Sequence, residues 1–285
     1  MSAKSMRYEG ILFPENSTDD AHLLFLRNEF QVKDDDIFNV TFPKSGTTWM
    51  LEILSLIQKN GDPTWSNTVP NYERVPWIEV KDLYENLEKY PSQRLICSHL
   101  PIQLFPKSIY NSKAKIIYTA RYPKDVAVSL YYFYKISKFL EEPENFTETL
   151  ELFLKGEVIY GSWFDHIKGW MEVKNKLNVF FITYEELLKD PRGSVVKICQ
   201  FLGKELDTAA IDSVVRNTTF MAMAENKMSN FMLLPQTIMD QSTCRFMRKG
   251  ISGDWKNHFT VAQSEHFDDV YQERMKGMKM KLPWE

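Results

Sequence analysis

IFNVTF-PKSG-TTW, residues 37 to 49, leaves an apolar strand through a short polar turn and enters a helix. The pattern predicts a strand over Ile37 to Phe42 and a helix from Thr47 to about Lys59, with Trp49, Ile53, Leu54 and Ile57 on one face. A helix opened in this way points unpaired backbone N–H groups and its positive end at whatever lies in front of it, which suits a phosphate or sulfate. Gly46 lets the backbone approach closely, Lys44 supplies a point charge, and Ser45, Thr47 and Thr48 add hydroxyl donors. The spelling is not GxxxxGK[ST], because Lys44 precedes the glycine and no glycine stands five residues before Gly46. An ordinary N-capped helix after a strand has the same outline, so the stretch alone leaves both readings open.

Working outward, Leu95 to Ser98, Lys115 to Thr119 and Val179 to Thr183 are short apolar runs with polar borders, as strands covered on both faces are. Helical patterns lie between and after them, over Lys124 to about Lys138, Thr147 to Lys155, Ser162 to Lys174 and Gly193 to Leu202, and the chain turns helical again after Thr208. This repeated βα order predicts an α/β fold, a single domain over 1–285 with a central parallel sheet flanked by helices and a P-loop-like loop for a phosphate- or sulfate-sized anion. Met221 to Thr243 is Met-rich and polar without a clean period, and is expected to be a mobile lid or a long surface loop. Glycine and proline are dispersed and no 20 to 50 residue period recurs, so no linker or repeat divides the chain.

Composition removes several classes of function. Of 285 residues, 44% are hydrophobic, enough for a sizeable core; 35 Lys and Arg against 38 Asp and Glu leave no basic field for a nucleic-acid backbone. No run of about 18 apolar residues occurs, so a membrane span is not expected. The amino-terminal segment has no apolar signal-peptide core, and Cys97, Cys199 and Cys244 form no CxxC pair or disulfide framework. A reducing, cytoplasmic compartment is the expectation, and the Asn-x-Ser/Thr sequences at Asn16, Asn39, Asn145 and Asn217 are then chance matches. His and Cys never pair at ligand spacing, and no metal is expected.

A second strand, turn and helix begins at Tyr118-Thr119-Ala120-Arg121-Tyr122-Pro123-Lys124-Asp125, with Ser129 on the new helix. In an open parallel sheet, ligands gather beyond the carboxyl ends of the strands, where Lys44 and Arg121 both project. Two phosphate-sized sites on one edge imply a ligand with two anionic groups. His99 follows RLICS at a third strand end on the same edge, where a neutral imidazole suits a base, but a lone histidine is more often structural and the sequence alone leaves both readings open. His22, His166, His258 and His266 lack that placement and are read as structural.

At these residues the sequence resembles the cytosolic sulfotransferases, over essentially its whole length. TFPKSGTTW at 41 to 49 is similar to the family's 5′-phosphosulfate loop, RYPKDVAVS at 121 to 129 to its 3′-phosphate site, and RKGISGDWKNHFT at 248 to 260 to its carboxyl-terminal cofactor signature. LPIQLFPKS, YGSWFDHIKGW, KICQFLGK, ENKMSN and the final PWE resemble the hydroxysteroid and bile-acid branch. The resemblance implies sulfonate transfer from 3′-phosphoadenosine 5′-phosphosulfate to the hydroxyl of a hydrophobic acceptor. It assigns Lys44, Ser45, Gly46, Thr47, Thr48 and Trp49 to the 5′-phosphosulfate, and Arg121, Ser129, Arg248, Lys249 and Gly250 to the 3′-phosphate. Tyr184, Thr218 and Met223 match positions around the adenine. His99 would be the base, Lys44 would neutralise charge on the leaving group, and Lys107 in LFPKS is a further candidate cation. Phe42 stands where Tyr is commoner and Tyr122 where Asn is commoner; neither change removes a charge.

Tyr72, Trp77, Tyr131, Tyr132, Phe133, Tyr134, Phe139, Phe231, Leu233 and Leu234 are numerous enough to line a dry acceptor pocket, although helical spacing turns Tyr132 away from Tyr131 and Tyr134. Lys256 to Glu265 matches the family's KxxxTVxxxE dimerisation pattern and implies a homodimer, whereas the bland reading makes Thr260 a helix cap between solvated charges. Two alternatives stay open: a nucleotide-dependent small-molecule kinase, which chelators would inhibit, and a module that binds a nucleotide without turnover.

Overall fold

The computed structural model describes residues 5–15, 17–87, 90, 93–278, 282 and 284. Its centre is a parallel sheet of β3 (Ile37–Thr41), β4 (Leu95–Ser98), β5 (Lys115–Ala120) and β6 (Asn178–Thr183) in the order β4-β3-β5-β6, and an antiparallel hairpin of β1 (Ser5–Tyr8) and β2 (Ile11–Pro14) stands apart from it. The α/β architecture with a central parallel sheet is therefore the one expected. The register pairs Val40 with Ser98, Thr41 with Thr119 and Ala120 with Thr183, so the four carboxyl ends finish close to one level.

Alternation along each strand feeds two cores. Phe38, Val40, Ile96, Ile116 and Tyr118 face the helices Pro123–Ile136, Phe146–Lys155 and Trp163–Glu172; Ile37, Cys97, Ile117 and Ile182 face Thr47–Gln58 and Pro191–Leu202. Burial on both faces is why these strands read as continuous apolar runs.

The differences from the sequence reading lie at boundaries and short elements. The helix expected from Lys124 opens at Pro123, since proline at the first helical position gives up an N–H that has no partner there anyway. Ser162 caps the helix Trp163–Glu172 from outside, its side chain accepting from Asp165 N. Met221 to Glu225 belongs to a helix, Phe220–Glu225, and is not loop. The stretch after it is pinned at its start: Asn71 donates to Met228 O and Ser229 O, and Asn226 Nδ2 to Ser66 O. The β1–β2 hairpin was not expected, because four-residue strands joined by Glu9-Gly10 carry too short a pattern.

Asn39 is fully buried in β3, and Asn145 caps a helix by accepting from Glu148 N. Asn16, and Pro283 and Glu285 of the PWE end, lie outside the described residues. Trp284 packs on Tyr122 at 5.8 Å and donates to Tyr271 Oη at 3.0 Å. Among the described residues no helix is long and apolar enough to cross a membrane.

Two buried ion pairs brace this frame. Arg94 grips Asp36 through Nε at 2.8 Å and Nη2 at 2.6 Å at the amino end of β3, and Arg74 meets Glu52 of the first sheet-covering helix at 2.5 Å. Removing one member leaves the other buried and unpaired, so Asp36→Ala should cost about 3–5 kcal/mol in urea unfolding. Asp212→Ala at the exposed Arg192 pair should leave the unfolding midpoint nearly unchanged, and equal effects of the two substitutions would refute the assignment.

Candidate active site

Each strand of the central sheet delivers one functional group at its carboxyl end: β3 the loop with Lys44, β4 His99, β5 Arg121 and β6 Tyr184. All four line one cavity of about 1510 Å3. Gly46 (φ 106°) turns the loop into the helix, and a Cβ there would come within 3.0 Å of the Tyr184 ring. Lys44, Tyr160 and Phe231 also hold left-handed backbone, at φ 68°, 63° and 60°, and all three line the cavity. Such strain in non-glycine residues persists only where the surroundings over-determine it.

Thr41 organises the first two strand ends. Its hydroxyl shares a hydrogen bond with Thr47 Oγ1 at 2.6 Å, and its carbonyl accepts from His99 Nδ1 at 2.8 Å. That bond fixes the tautomer with the proton on Nδ1 and leaves the Nε2 lone pair without a hydrogen-bond partner among the described residues. Burial, reinforced by the charge of Lys44, pushes the His99 pKa down to about 4, so the imidazole is neutral at physiological pH.

The cations of the site rest on aromatic faces. The Lys44 ammonium lies 4.4 Å from the Phe133 ring centre and 3.9 Å from that of Phe246; Arg121 stacks on Tyr184 at 4.2 Å and Arg248 on Tyr132 at 4.5 Å. Desolvation, with the Arg121 and Arg248 charges adding to it, pushes the Lys44 pKa down to about 7. A bound anion would reverse that shift by favouring the charged form.

Arg121 also ties the two halves of the anion region together, donating to Lys44 O at 3.2 Å and to Ile251 O at 3.0 Å. The segment around Ile251 is held from below by Asp125, whose carboxylate accepts from Gly253 N at 2.6 Å and Trp255 N at 2.9 Å. Arg248 and Lys249 both pair with Asp254 at 2.6 Å. Burial pushes the Asp254 carboxyl up, but Lys249, Asn257 and Arg248 together hold it well below the usual carboxylate range.

The sequence-predicted residues converge on this cavity: Lys44, Gly46, Thr47, Thr48, Trp49, His99, Arg121, Ser129, Tyr184, Thr218, Met223, Arg248, Lys249 and Gly250 all line it. Ser45 does not, for it is fully buried behind the loop. Lys107 is a correction: its ammonium donates to Asn28 Oδ1 at 2.7 Å on the exposed surface and is not a cavity cation. Of the aromatic cluster, Tyr72, Trp77, Phe133, Phe139, Phe231 and Leu234 line the cavity. Tyr134 instead accepts the Ile159 amide in the core, and Leu233 points to solvent. Sequence reasoning missed Phe246, Phe220 and Tyr160 as cavity residues; Tyr160 opens the YGSWFDHIKGW segment and Phe246 stands two residues before the Arg248-Lys249-Gly250 run, and both could have been sought there.

Several buried polar atoms at the loop lack partners: Ser45 Oγ, Trp49 Nε1, Thr119 Oγ1 and Arg121 Nε. Buried donors are rarely left unpaired. Orphans gathered around Lys44 and a helix amino terminus fit an anionic group, and the Tyr184 and Trp49 rings stand beside them, 5.4 Å apart and nearly perpendicular.

The sulfotransferase domain family matches residues 34–279. The chain is 52% identical to Sulfotransferase 2B1 of Rattus norvegicus over 285 residues, which is 100% of this chain and 84% of that protein. It is 48% identical to the 3-beta-hydroxysteroid sulfotransferase of Cavia porcellus, over 100% of this chain and 99% of that one. A crystal structure of a mouse sulfotransferase complexed with PAP has the same fold, with a TM-score of 0.80, 35% identity, and coverage of 97% of this chain and 96% of that one. The kinase and non-catalytic readings give way to these likenesses, and the chain belongs to the sulfotransferase family.

Proposed function

We propose that the protein transfers a sulfonate group from 3′-phosphoadenosine 5′-phosphosulfate to the hydroxyl of a hydrophobic acceptor, a hydroxysteroid or bile acid, with His99 as general base. The observation that carries this reading is the His99 imidazole: neutral, fixed through Nδ1, with Nε2 free in the same cavity as Lys44 and an apolar aromatic wall. Relatives named for 3-beta-hydroxysteroids and a neighbour complexed with PAP support the acceptor class and the nucleotide. The donor supplies an activated sulfonate on a phosphosulfate anhydride.

His99 Nε2 takes the acceptor hydroxyl proton while the hydroxyl oxygen bonds to sulfur, and Lys44 neutralises the charge that grows on the bridging oxygen as the old S–O bond breaks. Backbone N–H groups from Gly46 to Trp49 and the Thr47 and Thr48 hydroxyls hold the phosphosulfate without a metal. Arg121, Ser129, Arg248, Lys249 and Gly250 hold the 3′-phosphate, and Tyr184, Thr218 and Met223 the adenine. Phe231 to Asp240 covers the acceptor side and carries exposed Met232, Leu233 and Ile238, which supports a lid within 221–243. The protein works in the cytosol, consistent with three free cysteines.

The test is a panel of sterols, bile acids and simple phenols assayed for sulfation, followed by substitution. His99→Ala and Lys44→Ala should each lower kcat by about two to four orders of magnitude while the affinity for the desulfonated nucleotide changes far less. Unchanged kcat in His99→Ala would exclude it as the base.

The 3′-phosphate should be essential to tight binding. In titration calorimetry the native protein should prefer the 3′-phosphorylated nucleotide to adenosine 5′-phosphosulfate, and Arg121→Ala should abolish that preference; equal affinities in the native protein would contradict the two-site assignment.

The chain also forms a homodimer through Lys256–Glu265 in this reading. Val261 is 75% exposed between exposed Lys256 and Glu265, and Thr260 caps the following helix by accepting from Gln263 N without using either charge. The patch is small for an interface, so association should depend on concentration. In sedimentation at micromolar concentration the native chain should run near twice 33.6 kDa and Val261→Glu near 33.6 kDa. Identical behaviour of the two would rule this segment out.

A further inference from the structure

Behind His99 lies a carboxyl group that the proposed chemistry does not use. Residues 76–80 run beside β4: Ile78 N donates to Cys97 O at 3.1 Å and Cys97 N to Pro76 O at 2.9 Å. This pairing carries Glu79 to the first residue beyond β4, where its Oε1 accepts the His99 amide at 2.6 Å. The side chain is 1% exposed, and burial pushes its pKa up to about 7. Asp36 and Glu52, buried as deeply, each sit on an arginine, whereas Glu79, like Asp125, accepts from peptide N–H and has Ser98 and Tyr160 as further hydrogen-bond partners. Burying a carboxyl without a cation is costly, and a neutral side chain could cap one amide with less loss.

The same residue is held from two other directions. His166 Nε2 lies 3.1 Å from His99 O and its Nδ1 2.8 Å from Tyr118 Oη. Burial pushes the His166 pKa down to about 3, so the ring is neutral; with Tyr118 donating to Nδ1, Nε2–H donates to the His99 carbonyl. Thr41 O takes the Nδ1 proton of His99 itself. Amide, carbonyl and ring of one residue are thus fixed by the 76–80 segment, the helix Trp163–Glu172 and β3.

We propose that Glu79 is a positioning residue for sulfonate transfer, holding the His99 amide so that the imidazole Nε2 keeps its place opposite Lys44. The proposal rests on the reading of His99 as general base. His99 lies beyond the last β4 pairing, and Glu79 is the group that accepts its N–H, while His166 and Thr41 hold its carbonyl and its ring. Reaction rates are steep in such geometry: a shift of about 1 Å can cost about 10²-fold. Glutamine presents an oxygen at the same reach as glutamate, aspartate one a methylene shorter, and alanine none.

Steady-state kinetics with saturating donor and a hydroxysteroid that the native protein sulfates decide the matter. Glu79→Gln should lower kcat by less than about threefold, Glu79→Asp by about tenfold and Glu79→Ala by about 30- to 100-fold, with the donor KM within about twofold of native in each. Because Glu79 acts through His99, the Glu79→Ala/His99→Ala double variant should be no slower than His99→Ala alone. Native kcat in Glu79→Ala, or losses that multiply in the double variant, would overturn the proposal. A slow His99→Ala beside an unimpaired Glu79→Ala sinks the positioning role only; native kcat in His99→Ala sinks the base and the positioning role together. If thermal melting finds Glu79→Ala unfolded, the Gln and Asp variants decide alone, and equal kcat in those two counts against the proposal.

Discussion

Thr41 ends β3 with two bonds that run in different directions. Its hydroxyl reaches Thr47 at the start of the loop helix, and its carbonyl, past the last pairing with β4, receives the His99 ring. The anion loop and the candidate base are therefore registered to each other through one residue of the scaffold, with no surface loop between them. The arrangement depends on the parallel register of β3 and β4: a slip of one residue would send the His99 side chain to the opposite face of the sheet. Buried pairs such as Arg94–Asp36 and the dense packing on both sheet faces hold that register from the far end.

The second organising feature is where the positive charges rest. Lys44 lies between Phe133 and Phe246, and those rings also line the cavity. A desolvated cation on an aromatic face gains about 2 kcal/mol, enough to hold an ammonium in place but less than two charge-assisted hydrogen bonds to an anion provide. The same two rings thus seat the cation and wall the cavity, and a change at Phe133 or Phe246 alters both. Asp254 plays the corresponding part for Arg248 and Lys249 by keeping them aligned with a carboxylate.

Much of this was legible in the sequence because the site is built at strand ends, where an apolar run stops and polar residues begin. Lys44, His99, Arg121 and Tyr184 each stand within three residues of such a break. The groups that orient them were not legible. Glu79 sits in the apolar run VPWIEV, His166 looks like any histidine on an amphipathic helix, and Thr41 looks like any strand residue; each acts through contacts made 20 to 67 positions away along the chain. Lys107 failed for the complementary reason: its local context suits a catalytic cation, yet the chain after β4 turns it toward Asn28. Short elements such as the β1–β2 hairpin carry too few residues for a period to emerge.

The clasp at Asp125 bears on how the protein is made. That carboxylate lies at the start of the helix after β5, but the amides it binds belong to Gly253 and Trp255, 128 and 130 residues later. Arg121 likewise waits for Ile251. A nascent chain can therefore assemble the central sheet on the ribosome long before this clasp exists, and the candidate anion region is complete only once residues 251–255 have emerged. Contacts of such sequence separation form slowly. During that interval Lys44, Arg121 and the aromatic walls are open to solvent on one side, so the unfinished enzyme relies on its sheet, and not on its ligand, for stability.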